Sequence, residues 1–369
     1  MKLFIFLVLI AASIRADELA WAQTGPSPQS DWSRTVEAGK KEGKVVVSVP
    51  ASAELRKDVE RVFKQRFGIE AELNAGRAAS IVGKIQQEVK SGVYNFDVHM
   101  GGSESIVTGL LAEGILESFE PALIQPEVKD PKNWWGGHIW VDNAKRFIYS
   151  SHAYQTENIW HNTDLVKPDE IRSFNDLLHP KWVGKIGYLD PRTPGSGASI
   201  WSFLWQLRGE AFVRKLAGQK LFLSRDQRVL AESLAKGKIS LVIGLTYYSF
   251  LPFLKAGLPV KPLPNPRDEV YVSGGSGHVT IIKGAPHPNA TKVFINWFLG
   301  KEGQEIFGKA MGQCTRRFDV DTHWLKEFGV IAAKDSLTPD QYPKLENQSE
   351  DRVYKVREPA AELARKILE

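Results

Sequence analysis

Cysteine occurs once in this chain of 369 residues, at Cys314, and methionine only three times. A single thiol cannot close an internal disulfide, so a disulfide scaffold and a paired-cysteine metal site are both excluded. No local His marks Cys314 as a catalytic nucleophile. Charge of one sign is also scarce. The 48 Lys and Arg stand against 43 Asp and Glu, a formal net charge of +5, with no basic run or aromatic–basic stripe of the kind nucleic acid requires. Nucleic acid is therefore not an expected partner. After the first dozen residues no long apolar stretch follows, so the mature chain is expected to be soluble. With 43% hydrophobic and 25% charged residues, the composition is that of a globular chain, neither disordered nor collagenous. Its length exceeds what one hydrophobic core organises, which predicts two lobes. The 11 Trp and 9 Tyr fill cores or line clefts.

The beginning of the chain has the pattern of an export signal. Lys2 precedes an apolar run over residues 3–12, and Ala20-Trp21-Ala22 is a small-x-small cleavage pattern. A cleaved segment 1–22 is expected, with a cut after Ala16 as the alternative because Arg15 interrupts the region. With no Cys at the cut, no lipid anchor is expected.

From residue 32 onward, apolar runs of strand length alternate with helical periodicity. Residues 44–49 read as a buried parallel strand, and Ser52 caps a helix with Leu55, Val59, Val62, Phe63 and Phe67 on one face, closed by Gly68. Strands over 69–73 and 96–100 flank a helix over 80–89, and another helix starts at Ser103. The irregular stretch 120–145 carries Trp134 and Trp135, which either pack or form a lid over a cleft. A second β-α series runs through strands at 185–189 and 239–245 and helices at 199–207 and 224–236. A returning strand lies within 270–283, and helices follow at 287–299 and 302–311. The repeated pattern demands an α/β fold with parallel sheets.

Several strands end in a small or polar turn that opens a helix. Ser52, Arg77 with Ala78, Gly102 with Ser103, Ser196 with Gly197, and Tyr247 with Tyr248 all sit in such turns. Ligands of open α/β sheets bind outside the carboxyl ends of the strands, where helix N-termini present free N–H groups and partial positive charge. Each turn alone is explained by capping and turn chemistry. Their recurrence in both halves points to a shared cleft. Catalytic patterns are thin: Ser233 and Lys236 have Ser-x-x-Lys spacing without its partner motifs, and residues 274–277 fall one short of a nucleophile elbow. No catalytic residue and no cofactor are expected.

Residues 173–186 (SFNDLLHPKWVGKI) resemble the signature of periplasmic solute-binding proteins of ABC transporters. Asp190-Pro191-Arg192 and Ser196-Gly197 follow it. The pair Tyr247-Tyr248 resembles the tandem tyrosines of the ferric-ion-binding branch, residues 283–290 resemble its helix entry, and residues 161–165 its "YNtdlv" segment, with His161 where Tyr is usual. The resemblance covers most of residues 40–315. It implies a two-lobe, type II Venus-flytrap fold with crossing hinge strands, and no catalysis. It also implies a periplasmic, monomeric receptor served by a membrane permease and an ATPase. The expected division is 23–145 with 270–315 as a discontinuous first lobe, 146–269 as the second, and 316–369 as a C-terminal helical tail bracing the second lobe.

Three ligand classes remain open at this point. In the ferric branch adjacent tyrosines bind Fe(III) as phenolates, completed by a His and a Glu from the first lobe. Here Tyr247 and Tyr248 match, but residues 50–53 hold no His, and Glu104 is displaced from the place of the Glu. Fe(III) would be cargo, not cofactor. Alternatively Arg77, Arg192, Ser196, Gly197 and the helix N-termini, with Ser52, Ala78, Gly102 and Ser103, hold an organic or phosphorylated anion, the tyrosines then donating hydroxyls. Arg225 and Arg228 lie at a further helix start. Polyamines, thiamine-like cations and sugars are the remaining solutes. A ligand-sensing subunit of a signalling system would share the fold, and a hydrolase is the last alternative.

Overall fold

The structure, a computed structural model, describes residues 28–157, 159–264 and 271–368. The expected export signal and the boundary between 269 and 270 lie outside the described residues. After α1 (Pro28–Glu42), the β-branched run in β1 (Lys44–Pro50) buries Val45, Val46, Val47 and Val49, as a strand covered on both faces does. α2 (Ala53–Phe67) starts where Ser52 Oγ accepts the Leu55 N–H and ends at Gly68, which supplies the left-handed turn. β2 (Glu70–Gly76), α3 (Ala78–Lys90) and β3 (Val98–Gly101) follow, and β1 lies between β2 and β3, parallel to both. α4 (Ser103–Ser105) runs on as a π-helix, Ile106–Leu111. β4 (Leu116–Glu117), β5 (Ile139–Trp140) and β6 (Tyr149–Ser150) extend the first sheet.

The chain then crosses over. β7 (Tyr154–Thr156) leads into a second sheet made of β8 (Ile159–Asn162), β9 (Ile186–Leu189), β10 (Phe222–Ser224), β11 (Leu241–Ile243) and β12 (Val260–Leu263), in the order β10-β9-β11-β8-β12. Its helices are α5 (Ser196–Ala217), α6 (Gln227–Ala235) and α7 (Tyr247–Lys255). β13 (Val272–Ser273) returns, antiparallel to β7, and β14 (His278–Ile282) enters the first sheet beside β3, giving the order β2-β1-β3-β14-β6-β5 with β4 on β14. α8 (Pro288–Leu299) and α9 (Lys301–Met311) close the first core, where Phe63 meets Phe294 and Trp297. β15 (Val330–Ala332) pairs with the other edge of β7, so β13-β7-β15 is a small third sheet between the lobes.

Each large sheet has its own apolar core, which is the two-lobe α/β architecture with crossing strands. Segment 331–368 ends in α10 (Glu358–Ile367), which packs on α5 in the second lobe. Trp134 is 1% exposed and its indole donates to the Val128 carbonyl at 3.0 Å, while Trp135 packs edge-on against Tyr342. The lid alternative for these tryptophans is therefore corrected: they are core. Cys314 is fully buried, and burial pushes its thiol up to about 12, far from a nucleophile.

Candidate functional site

The carboxyl ends of β1, β2 and β3 face those of β9 and β11 across a cavity of about 370 Å³. Its walls carry the start of each following helix. From the first lobe come Arg77, Ala78 and Ser80 at α3, and Gly102, Glu104 and Ser105 at α4. From the second lobe come Gly195, Ser196 and Gly197 at α5, and Thr246 and Tyr248 at α7. The third sheet and its surroundings close the back with Tyr154, Tyr271, Ser273, Gln313, Gln348 and Arg357.

The helix starts on this cavity share one chemical property. The N-cap positions Arg77, Gly102, Gly195 and Thr246 make no side-chain capping bond. Away from the wall, Ser52 caps α2 and Asp226 caps α6 with their side chains. The cavity therefore receives the positive ends of helices whose first N–H groups no side chain of their own has claimed.

The expected site residues separate into two groups. Arg77, Ala78, Gly102, Ser196, Gly197 and Tyr248 come together on the wall. Arg77 is exposed, and among the described residues its guanidinium meets only Ser80 Oγ of its own turn, at 3.5 Å. Ser196 donates to the Gly244 carbonyl at 2.6 Å, which ties the start of α5 to the end of β11. Gly197 has a packing reason besides: a Cβ there would collide with the Leu189 carbonyl of β9.

Ser52, Ser103, Arg192 and Tyr247 do not line the cavity. Ser52 is spent on its helix cap. Ser103 is fully buried and accepts from Arg357 Nη1 at 3.3 Å. Arg192 forms a two-pronged pair with Asp190, 2.8 and 3.0 Å, and its remaining Nη1 donates to the Leu368 carbonyl at 2.9 Å. Asp190 is itself on the wall. Burial raises its pKa, but hydrogen bonds from Arg192 and from Arg225 at 3.0 Å outweigh that and hold the carboxyl below its usual range.

Tyr247 turns away from the cavity into Phe328 (ring centroids 4.7 Å) and Trp324 (6.0 Å). The reason is helical geometry. Successive residues at a helix start point about 100° apart, and here the second of the pair faces the cleft while the first packs beside it. Tyr248 is that second residue, and burial raises its phenol pKa against a weaker opposing hydrogen bond to Gln227. The two phenols thus have different surroundings in this structure, Tyr248 on the cavity wall and Tyr247 among Phe328 and Trp324.

Arg357 went unrecognised in the sequence. It lies on a charged C-terminal helix that carries no local motif, and only its docking puts it on the wall.

This cleft between two α/β lobes, lined by helix starts, is that of a solute receptor. Residues 45–310 match the family of bacterial extracellular solute-binding proteins, and the chain belongs to it. Among solved structures, iron-bound HitA from Pseudomonas aeruginosa superposes with a TM-score of 0.65 at 16% identity, over 88% of this chain and 99% of HitA. The binding protein AfuA from Actinobacillus pleuropneumoniae, with fructose-6-phosphate bound, gives 0.65 at 20% identity over 88% of this chain and 97% of AfuA. A Haemophilus influenzae protein described as uncharacterized is 22% identical over 274 residues, 72% of this chain and 76% of its own. At such identities the structural likeness concerns the fold.

Proposed function

We propose that this solute-binding protein is the periplasmic receptor of an ABC importer for a small anion, an organic acid or a phosphate ester. It takes the anion into the interlobe cavity and presents it to a membrane permease driven by an ATPase. The observation that carries the reading is the convergence of four uncapped helix starts with Arg77 on one cavity of about 370 Å³. Unclaimed N–H groups and an exposed guanidinium stabilise negative charge. The volume suits a molecule of metabolite size. Capture follows from differential affinity: a ligand that contacts both walls stabilises the closed arrangement.

Fold relatives are described with iron and with fructose-6-phosphate bound, so both cargo classes are compatible with the architecture. The divergence of Tyr247 from Tyr248 favours the anion. A thermal-shift panel on refolded, ligand-free protein separates them, because a ligand of the folded state raises the melting temperature. Phosphate esters and carboxylates are expected to raise it without colour. A shift confined to ferric citrate, with visible tyrosinate absorption, would replace the anion reading with the ferric one.

A further inference from the structure

The C-terminal helical segment is a strap between the lobes, with a buried ion pair at its midpoint. At its start, Glu350 N–H donates to the Val141 carbonyl at 2.9 Å, Glu350 Oε2 accepts from Asn143 N–H at 2.7 Å, and Val353 packs in a core of the first lobe. Farther along, Trp201 Nε1 donates to the Ala360 carbonyl at 3.1 Å, and Ala360, Leu363, Ala364 and Leu368 join the core of the second lobe. Between the anchors the helix widens to a π-turn, Val353–Arg357, a distortion common at functional positions.

Arg357 sits at the end of that turn, on the cavity wall, 2% exposed. Its Nη2 donates to Glu104 Oε2 at 2.6 Å and its Nη1 to Ser103 Oγ at 3.3 Å, both at the start of α4 in the first lobe. The same Nη2 donates to Ser199 Oγ at 2.5 Å and meets the Gly195 carbonyl at 3.4 Å, both at the start of α5 in the second lobe. Its Nε is buried without an acceptor among the described residues. A guanidinium with several fixed donors can hold two helix starts at once, and an ammonium cannot do so with the same geometry. A buried pair of this kind is costly to break on one side only.

We propose that Arg357 is a positioning residue of the ligand site: paired with Glu104, it holds the α4 and α5 helix starts across the cavity and latches the lobes together. The inference rests on the reading of the cavity as the ligand site. The latch itself is testable without any ligand. Loss of the Glu104 charge leaves the guanidinium with no carboxylate, and the two walls separate.

The test uses the full mature chain, stripped of ligand by refolding and spin-labelled at Lys57→Cys on the first lobe and Lys238→Cys on the second, both exposed. Cys314 is buried and stays unlabelled. Interlobe distances are read by pulsed electron resonance in the otherwise native background and with Glu104→Gln. The expected result is a shift of the distance distribution to longer values in Glu104→Gln while circular dichroism remains native. An unchanged distribution overturns the latch. Should Glu104→Gln fail to fold, Arg357→Lys takes its place with the same two outcomes. Titration with fructose 6-phosphate and inorganic phosphate is run in parallel. If neither binds the native chain, the anion reading is weakened, yet the distance arm still decides the latch.

Discussion

Arg77 presents five N–H donors on the cavity wall, and among the described residues only a long contact to Ser80 in its own turn engages them. A hydrogen bond to a charged partner contributes about 1.5–3 kcal/mol, so Arg77→Ala is expected to weaken an anionic ligand by roughly 10- to 100-fold in calorimetric titration, with melting temperature unchanged. Unaltered affinity would remove Arg77 from the site. The tyrosines give a paired contrast. Tyr248→Phe is expected to change ligand affinity and Tyr247→Phe to leave it alone, because only Tyr248 lines the cavity.

Three histidines act on stability at the same scale. Desolvation lowers His99 and His278 to about 4 and His152 to about 3, all fully buried. The unfolded rings protonate near pH 6.5. Stability from keeping them neutral is therefore complete above that pH and is lost as pH falls toward 4. Urea unfolding at pH 6.5 and pH 5 is expected to show a loss of at least about 2 kcal/mol, since one such ring accounts for about 1.4 kcal/mol per pH unit. Equal stabilities would mean that these rings do not stay neutral in the fold.

At the scale of elements, the glycines of the helix starts do different things. Gly102 has an ordinary backbone conformation, and a Cβ there meets nothing within 4 Å. Gly102→Ala is therefore expected to fold normally and to lower ligand affinity by intruding on the cavity. In Gly197→Ala the new Cβ would strike the Leu189 carbonyl, and overpacking of that kind costs about 1–3 kcal/mol or more. It is expected to lower the melting temperature. If the two variants behaved alike, the division between a wall glycine and a packing glycine would be wrong. The sequence could not separate them, because both occupy the same kind of strand-to-helix turn. What distinguishes them is how closely α5 approaches β9, a contact between segments that no local pattern encodes.

The lobes also meet at the rim, where Lys255 Nζ of α7 pairs with Glu54 Oε1 of α2 at 2.6 Å. Both side chains are about half exposed, so solvent and salt screen the attraction. Glu54→Gln is expected to change ligand affinity by less than about threefold, in contrast to a change at the buried Glu104. A large, salt-insensitive effect at the rim would relocate the main interlobe restraint from the strap to the surface. No helix among the described residues is long and apolar enough to cross a membrane, and the whole described chain reads as two lobes, each with its own core, joined by strands and by a helical strap.

Local pattern was enough for the elements and their class. Alternating apolar runs and helical periodicity located β1, α2, α8 and α9 almost to the residue, because burial of one face is a local, periodic demand. It also indicated which turns would carry Arg77, Gly102 and Ser196 to a common cleft, since parallel strands must end on one edge. Which side chain of each turn faces inward depended instead on long-range packing. Tyr248 lies on the cavity wall while Tyr247, one residue and 100° away, packs on Phe328, and Asp190 drew Arg192 to its side. Arg357 reached the cavity only through the docking of a distant helix on both cores, a long-range packing event that local propensity does not specify.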